Sequence, residues 1–304
     1  MSVSETIEQE LKERFINLSK PMLAIATATV PKLKNLSDIR VVMYDFYGTL
    51  FLSGVGDIGI DDGVSDAGLM LDALTGAGVS VTDSSAGSRC FEAYNEVVDH
   101  EIDKLIKLGI EHPEPDIRKV WGSVLHILHN EKLIEAVPDA ETQSRMSVEF
   151  EARMNPVWPV DGAVETLSHF KNRGLEQGII SNSQFYTPIV LEALTGKSLE
   201  ELGLNRSLLH WSFEERMKKP GLQFYRNAWQ KIESELAGIE PHMVLYAGND
   251  MLKDIWPASE LGMRTALFTG DKRSLKWRKE DDRCKDLEPD IVFTEFSQLR
   301  ELIG

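Results

Sequence analysis

An apolar run that ends in an aspartate and a glycine turn constrains this chain more than any other feature. Residues 41–44 read Val-Val-Met-Tyr, Asp45 follows them, and residues 46–50 read Phe-Tyr-Gly-Thr-Leu. The run predicts a buried strand, because β-branched and aromatic side chains suit that position. A carboxylate at the end of a buried strand is costly unless it is paired or used in chemistry. An ordinary strand followed by a turn that aspartate caps is the alternative.

Two later segments repeat the pattern of an apolar run that closes on polar side chains. Residues 178–180 lead into Ser181-Asn182-Ser183, and residues 243–247 lead into Gly248-Asn249-Asp250, with Asp254 in the turn that follows. In a parallel sheet the carboxyl ends of the strands meet at one edge, where ligands bind. Each segment alone is also typical of a turn or a helix N-cap.

A lysine between those two segments completes the set of motifs. Lys219 lies directly before Pro220, and the apolar residues Phe224, Ala228 and Ile232 then follow at helical spacing. By itself, a Lys-Lys-Pro sequence is more often part of the surface.

Taken in order, the four motifs resemble those of the haloacid dehalogenase (HAD) superfamily. The resemblance implies an α/β fold with a doubly wound parallel sheet, a HAD-like Rossmannoid core, and a helical cap inserted after the first motif. It implies that Asp45 is a covalent nucleophile, that Ser181 hydrogen-bonds the transferred group and that Lys219 balances charge. Thr49 and Asn182 are the substrate-binding residues that the same motifs imply.

The resemblance also implies a Mg²⁺ cofactor, a hard cation that prefers oxygen ligands. The predicted ligands are the Asp45 carboxylate, the backbone carbonyl of Tyr47 and the polar group formed by Asn249, Asp250 and Asp254. The family's usual form has an aspartate directly after the glycine, where this chain has Asn249. Two interpretations follow: Asp250 is the ligand, or Asn249 binds as a neutral oxygen while Asp250 and Asp254 support it from behind.

Tyr47 decides between two chemistries. Phosphatases of the superfamily usually carry a second aspartate there, which protonates the leaving oxygen and then activates water. Tyrosine has an ordinary pKa near 10 and does not easily do the same, whereas dehalogenases have tyrosine at this place because halide leaves without a proton. Our first hypothesis is a Mg²⁺-dependent phosphatase that acts on a small phosphorylated metabolite through an aspartyl phosphate, since Asp250 and Asp254 are present. The alternatives are a 2-haloacid dehalogenase-type hydrolase and a catalytically weak binding protein with the same fold.

The spacing of apolar runs predicts three regions. Residues 38–52 and 160–304 form the core, 53–159 form the helical cap, and 1–37 form a helical extension that packs on the body or on a second subunit, as in a homodimer. The glycine-rich residues 54–59 are the expected hinge of the cap. Strands are predicted near residues 40–45, 175–181, 207–212, 243–247, 264–268 and 291–294.

The composition of the chain indicates which classes of binding partner and which cellular compartment to expect. The formal net charge of −16 disfavours nucleic acid or an anionic membrane as partner, and increases the importance of Lys219 for a small anionic substrate. The apolar stretch Met22 to Val30 is too short to span a bilayer. The two cysteines, Cys90 and Cys284, lack metal-ligand spacing and fit a reduced, cytoplasmic setting.

Overall fold

A computed structural model describes residues 5–55 and 67–303 of the chain. Six of its strands form one parallel sheet, in the spatial order β5-β4-β1-β6-β7-β8. The six predicted strands are therefore confirmed, and β2 and β3 form a separate antiparallel ribbon. The strands are β1 Val41–Tyr44, β2 Phe51–Ser53, β3 Val157–Pro159, β4 Glu176–Ser181, β5 Leu209–Trp211, β6 Val244–Gly248, β7 Arg264–Phe268 and β8 Ile291–Phe293.

Helices cover both faces of the sheet, which confirms the doubly wound α/β class. On the two central strands, alternate side chains enter separate cores because successive residues of a strand point to opposite faces. The helices are α1 Glu5–Leu18, α2 Ala67–Gly76, α3 Ala86–Lys107, α4 Ile117–Asn130, α5 Ala140–Met154, α6 Ala163–Asn172, α7 Thr187–Thr195, α8 Leu199–Leu202, α9 Ser212–Glu215, α10 Leu222–Glu235, α11 Trp256–Glu260 and α12 Phe296–Leu302. Short 3₁₀ turns cover Arg206–Leu208 and Pro241–Met243, and a π-helical turn covers Met251–Ile255.

Helices α2 to α5 form the segment between β2 and β3. Their shared core contains the aromatic rings of Tyr94, Trp121 and Phe150, whose centroids lie 4.9–5.1 Å apart. The β2–β3 ribbon, with Phe51 opposite Pro159, joins both ends of this segment to the core. The helical character predicted for this region is confirmed, while its division from the core as a cap that moves stays a prediction. Of the expected hinge, residues 56–59 lie outside the described residues.

The N-terminal extension packs on the body of the same chain. Helix α1 buries Ile7, Leu11 and Phe15 against α5 and α7. Ion pairs fix it at both sides, from Arg14 to Glu149 on α5 and from Lys12 to Glu192 on α7. The extension therefore contacts both the inserted helices and the core. Within the described ranges, no helix is both long enough and apolar enough to cross a membrane.

Candidate active site

The ends of three adjacent strands bring the predicted site residues together. Strand β1 lies between β4 and β6, with Tyr44 opposite Ile179 on one side and Ala247 on the other. Asp45 directly follows β1, and its backbone N–H donates to the Ala247 carbonyl at 2.9 Å. Ser181 ends β4, and its hydroxyl donates to Oδ1 of Asp45 at 2.8 Å.

Lys219 reaches the same edge of the sheet from the loop before α10. Its Nζ lies 2.7 Å from Oδ1 of Asp45 and 2.6 Å from Oδ1 of Asp254, and its side chain is only 3% exposed. Burial alone lowers the pKa of Lys219, but the charges of Asp254 and Asp45 outweigh it and raise the pKa above its usual value. The four motifs therefore meet around one carboxylate.

The chain has a haloacid dehalogenase-like fold. Two observations decide this: the parallel sheet has the predicted helical segment inserted after its first strand, and the four motifs, in the predicted order, meet at its carboxyl edge.

Solved structures similar to this chain include dehalogenases and phosphatases. An L-2-haloacid dehalogenase from Xanthobacter autotrophicus is 18% identical, with a TM-score of 0.45, over 87% of this chain and 98% of that one. A HAD phosphatase from Thermococcus onnurineus is 15% identical, with a TM-score of 0.47, over 86% and 97%. A HAD-hydrolase from Bacillus subtilis bound to magnesium is 13% identical, with a TM-score of 0.45, over 86% and 97%. No protein-family model and no curated protein matches the chain. Sequence identities of 13–18% and TM-scores of 0.45–0.47 do not indicate which activity this chain has.

Two residues expected to bind substrate instead contact other members of the HAD-like site. The Asn182 amide oxygen accepts the backbone N–H of Lys219 at 2.8 Å, which fixes the loop that carries the lysine. The Thr49 hydroxyl donates to Oδ1 of Asn249 at 3.0 Å, and Thr49 is fully buried. Both residues thus hold their neighbours in place, and direct contact with a substrate stays a prediction.

Asp250 is fully engaged by the protein. Its Oδ1 accepts the backbone N–H groups of Leu252 at 2.8 Å and Lys253 at 3.2 Å, which caps the π-helical turn. Arg278 adds two guanidinium nitrogens, with Nη2 2.7 Å from Oδ2 and Nε 3.2 Å from both oxygens. Four N–H groups on one carboxylate use about all of its acceptor positions. Asp250 therefore has no oxygen available for a metal ion.

Asp254 is engaged in a similar way. Its Oδ2 accepts the backbone N–H groups of Asn249 at 3.0 Å and Asp250 at 2.9 Å, while Lys219 holds Oδ1. Burial raises the pKa of Asp254 and the ammonium of Lys219 opposes that shift. A Cβ at Gly248 would lie 2.4 Å from the Asp254 side chain, so only glycine lets Asp254 fold back onto this turn.

The donors present do not fit a preformed Mg²⁺ site. No group of three or more His, Cys, Asp or Glu side chains within residues 5–55 and 67–303 has the arrangement of a metal site. Of the predicted ligands, Asp250 and Asp254 are saturated, and Asn249 brings no charge. The Asp45 carboxylate and the Tyr47 carbonyl remain of the predicted ligands, with Lys219 already balancing the carboxylate. The contacts of Asp250 are those of a supporting side chain, while the choice between Asn249 and Asp250 as metal ligand stays a prediction.

Tyr47 cannot readily supply a proton to a leaving group. Its hydroxyl lies 3.1 Å from the Thr187 hydroxyl, and its side chain is buried. Burial raises the pKa of Tyr47 well above its usual value, and the charge of Glu151 adds to the effect. A phenol that holds its proton more tightly is a weaker acid, so the site lacks the acid that the position supplies in phosphatases.

Of the three carboxylates described at this site, Asp45 is the one with an oxygen available. Both bonds to its side chain, from Ser181 and from Lys219, go to Oδ1. In the part of the chain that the structure describes, no donor contacts Oδ2, and the side chain is 9% exposed. One oxygen is thus held by a hydroxyl and an ammonium while the other is open to a substrate.

The sequence did not mark two further participants in this site. The Tyr246 hydroxyl lies 3.3 Å from Nζ of Lys219 and 2.8 Å from the Ile180 carbonyl, so it helps to hold the lysine. Tyr246 occupies a position in β6 that looks like ordinary core, and Arg278 lies in a loop without a recognisable motif. Only their contacts reveal their place in the site.

Proposed function

We propose that this chain is a hydrolase that forms a covalent ester on Asp45 and acts without a metal ion, in the manner of a 2-haloacid dehalogenase. The proposal rests on one difference between the three carboxylates of the site, namely whether each has an oxygen without a hydrogen-bond donor. Asp250 and Asp254 have both oxygens engaged, and Asp45 keeps Oδ2 open. A carboxylate that is desolvated, oriented and open at one oxygen is equipped for nucleophilic attack.

Two contacts to Oδ1 also orient the Asp45 carboxylate. Lys219 and Ser181 both donate to this oxygen, and the ammonium offsets its negative charge. Because both contacts are made within the protein, the orientation is fixed before substrate binds.

The leaving group follows from what surrounds Tyr47. Because Tyr47 is a weak acid here, the site suits a group that departs as a stable anion without a proton, and halide is such a group. In the proposed reaction Oδ2 of Asp45 attacks the carbon next to a carboxylate; the carbon–oxygen bond forms as the carbon–halogen bond breaks, and halide leaves with the electron pair. Water then adds to the ester carbonyl of Asp45 and the acyl–oxygen bond breaks. One proton of the water passes to the departing oxygen, which gives a 2-hydroxy acid, and the other is released to solvent as the carboxylate is restored.

The Mg²⁺-dependent phosphatase predicted from the motifs is the second candidate. It is favoured by Ser181 and Lys219, which together form the type of cradle that phosphoryl oxygens need. It requires a metal bound through the Asp45 carboxylate, the Tyr47 carbonyl and Asn249, with one charged ligand in place of the usual two or three. We rank it second because Lys219 and Arg278 already neutralise the acidic side chains.

Halide release measured with and without chelator tests the proposal. We expect the protein to release chloride from a 2-chloroalkanoate at an unchanged rate in excess EDTA. An aryl phosphate assayed in parallel, with Mg²⁺ and with EDTA, tests the second candidate. Metal-dependent phosphate release without halide release would overturn the proposal, and neither activity on a broad panel would favour a binding protein.

A further inference from the structure

A cavity of about 330 Å³ lies between the inserted helices and the loops that carry the site. Its volume is at the lower end of the range of small-molecule sites. The wall from α3, α4 and α5 is mainly apolar, with Tyr94, Val98, Ile102, Val120, Phe150 and Met154, and it also contains the carboxylates Asp99 and Glu151. The other wall includes Gln184, from the loop that follows Ser181, and Lys218, from the loop that carries Lys219.

The cavity adjoins the nucleophile's surroundings. Gln184 comes three residues after Ser181, whose hydroxyl contacts Asp45, and Lys218 directly precedes Lys219. Tyr186, another wall residue, is next to Thr187, which contacts the Tyr47 hydroxyl. Several cavity-lining residues are thus close sequence neighbours of the residues that contact Asp45 and Tyr47.

Two carboxyl groups in the cavity wall, the buried Glu151 and the half-buried Glu114, already have partners. Glu151 accepts the Tyr186 hydroxyl at 2.8 Å and the Asn155 amide at 3.1 Å. Glu114 accepts the Gln184 amide at 2.9 Å and lies 3.4 Å from the Ser212 hydroxyl. These contacts hold the inserted segment to the core.

Lys218 lines the same cavity and is half-buried. Unlike Glu114 and Glu151, its charged end has no hydrogen-bond or ion-pair partner across the described ranges. Burial raises the pKa of Glu114, and the charge of Lys218 lowers it. An ammonium at the edge of an apolar cavity attracts an anion more strongly than it would in bulk water. Its backbone N–H donates to the His112 carbonyl at 2.8 Å, so the loop that presents it is fixed.

We infer that Lys218 binds the carboxylate of the substrate, and that the cavity holds an aryl or branched alkyl group attached to the same molecule. The substrate class is thus 2-substituted carboxylic acids with a bulky apolar side chain, in preference to three-carbon acids. This inference depends on the proposed function for one point only, which is the group that leaves the carbon beside the carboxylate.

Isothermal titration of the wild-type chain with 3-phenylpropionate, a carboxylate that carries no leaving group, tests the inference. We expect 3-phenylpropionate to bind at least about tenfold more tightly than propionate, and more tightly than the cationic 3-phenylpropylamine. Lys218→Gln should weaken the binding of 3-phenylpropionate about tenfold or more, and Lys218→Arg should retain most of it. Lys119→Gln, which changes an exposed lysine of α4, is the matched control and should leave binding unchanged.

The outcomes separate this inference from the proposed function, because the titration needs no turnover. Binding that depends on Lys218 without any halide release would support the site and reject the chemistry. Halide release with unchanged binding in Lys218→Gln, tighter binding of the amine, or no binding of 3-phenylpropionate would overturn the inference. If 2-chloro-3-phenylpropionate is turned over, Lys218→Gln should raise KM about tenfold and change kcat less than about threefold.

Discussion

The Nζ atom of Lys219 lies 2.7 Å from Oδ1 of Asp45, and the two side chains are only 3% and 9% exposed. A lysine ammonium therefore provides positive charge at this carboxylate, which is the role that the motif pattern predicted for Lys219. Arg278 provides the same for Asp250. The arrangement balances charge within the protein, and this balance leads to the following predictions.

Asp45→Asn should abolish turnover while the fold is retained. The change removes the attacking oxygen with almost no change of shape, and Lys219 keeps Asp254 as its partner. The measurement is the turnover rate on whichever substrate is active, together with a thermal melt. Asp282→Asn, at an exposed position, is the control. Activity within about tenfold of wild type, which is about 1.4 kcal/mol of barrier, would refute a covalent role for Asp45.

Arg278→Gln should make the chain responsive to divalent cations. Without the guanidinium, Asp250 keeps two backbone donors and regains acceptor positions for a metal ion. We expect millimolar Mg²⁺ to raise the melting temperature of the variant and to leave that of wild type unchanged. Arg283→Gln, which removes the ion pair with Asp281 in the same loop, is the control. Equal stabilisation of wild type by Mg²⁺ would show that Arg278 does not exclude the metal.

Glu151→Gln should flatten the pH dependence of stability. Burial raises the pKa of Glu151 above its usual value of 4.5, against the lowering effects of Tyr186 and Asn155. The folded state then binds a proton more tightly than the unfolded state. Its contribution to the free energy of unfolding is complete below pH 4.5 and is lost as pH rises through the raised pKa. Denaturant unfolding of both proteins from pH 4.5 to 8 measures this. A wild-type curve parallel to that of the variant would contradict the sign.

Phe15→Ala should destabilise the protein by about 3–5 kcal/mol, the usual range for truncation of a buried phenylalanine. Phe15 is 1% exposed, and its ring centroid lies 6.1 Å from that of Tyr186 in the cavity wall. The neighbouring Ile16 is 54% exposed, so Ile16→Ala should stay within about 0.5 kcal/mol of wild type. Denaturant unfolding of the two variants compares them directly. Equal effects would mean that α1 does not contribute to the core.

The sequence by itself determined the strands and the place of Asp45 at the end of the first one. Each strand is a local apolar run, and the side chain after such a run lies at the carboxyl edge of a parallel sheet whatever the rest of the chain does. That rule was sufficient to bring Asp45, Ser181 and the Gly248 turn together. Lys219 was found by its resemblance to a motif, since nothing in its immediate surroundings distinguishes it from Lys218.

Only the tertiary structure decided how the charges pair. Asp250 and Asn249 are adjacent, and no local sequence pattern indicates which of their side chains has an oxygen available to a ligand. The answer comes from Arg278, 28 residues further along the chain. Likewise Arg14 of the extension meets Glu149 across 135 residues, which shows that α1 packs on its own chain. Periodicity and propensity act between near neighbours in sequence, whereas a buried ion pair depends on which distant segments the fold brings within a few ångströms.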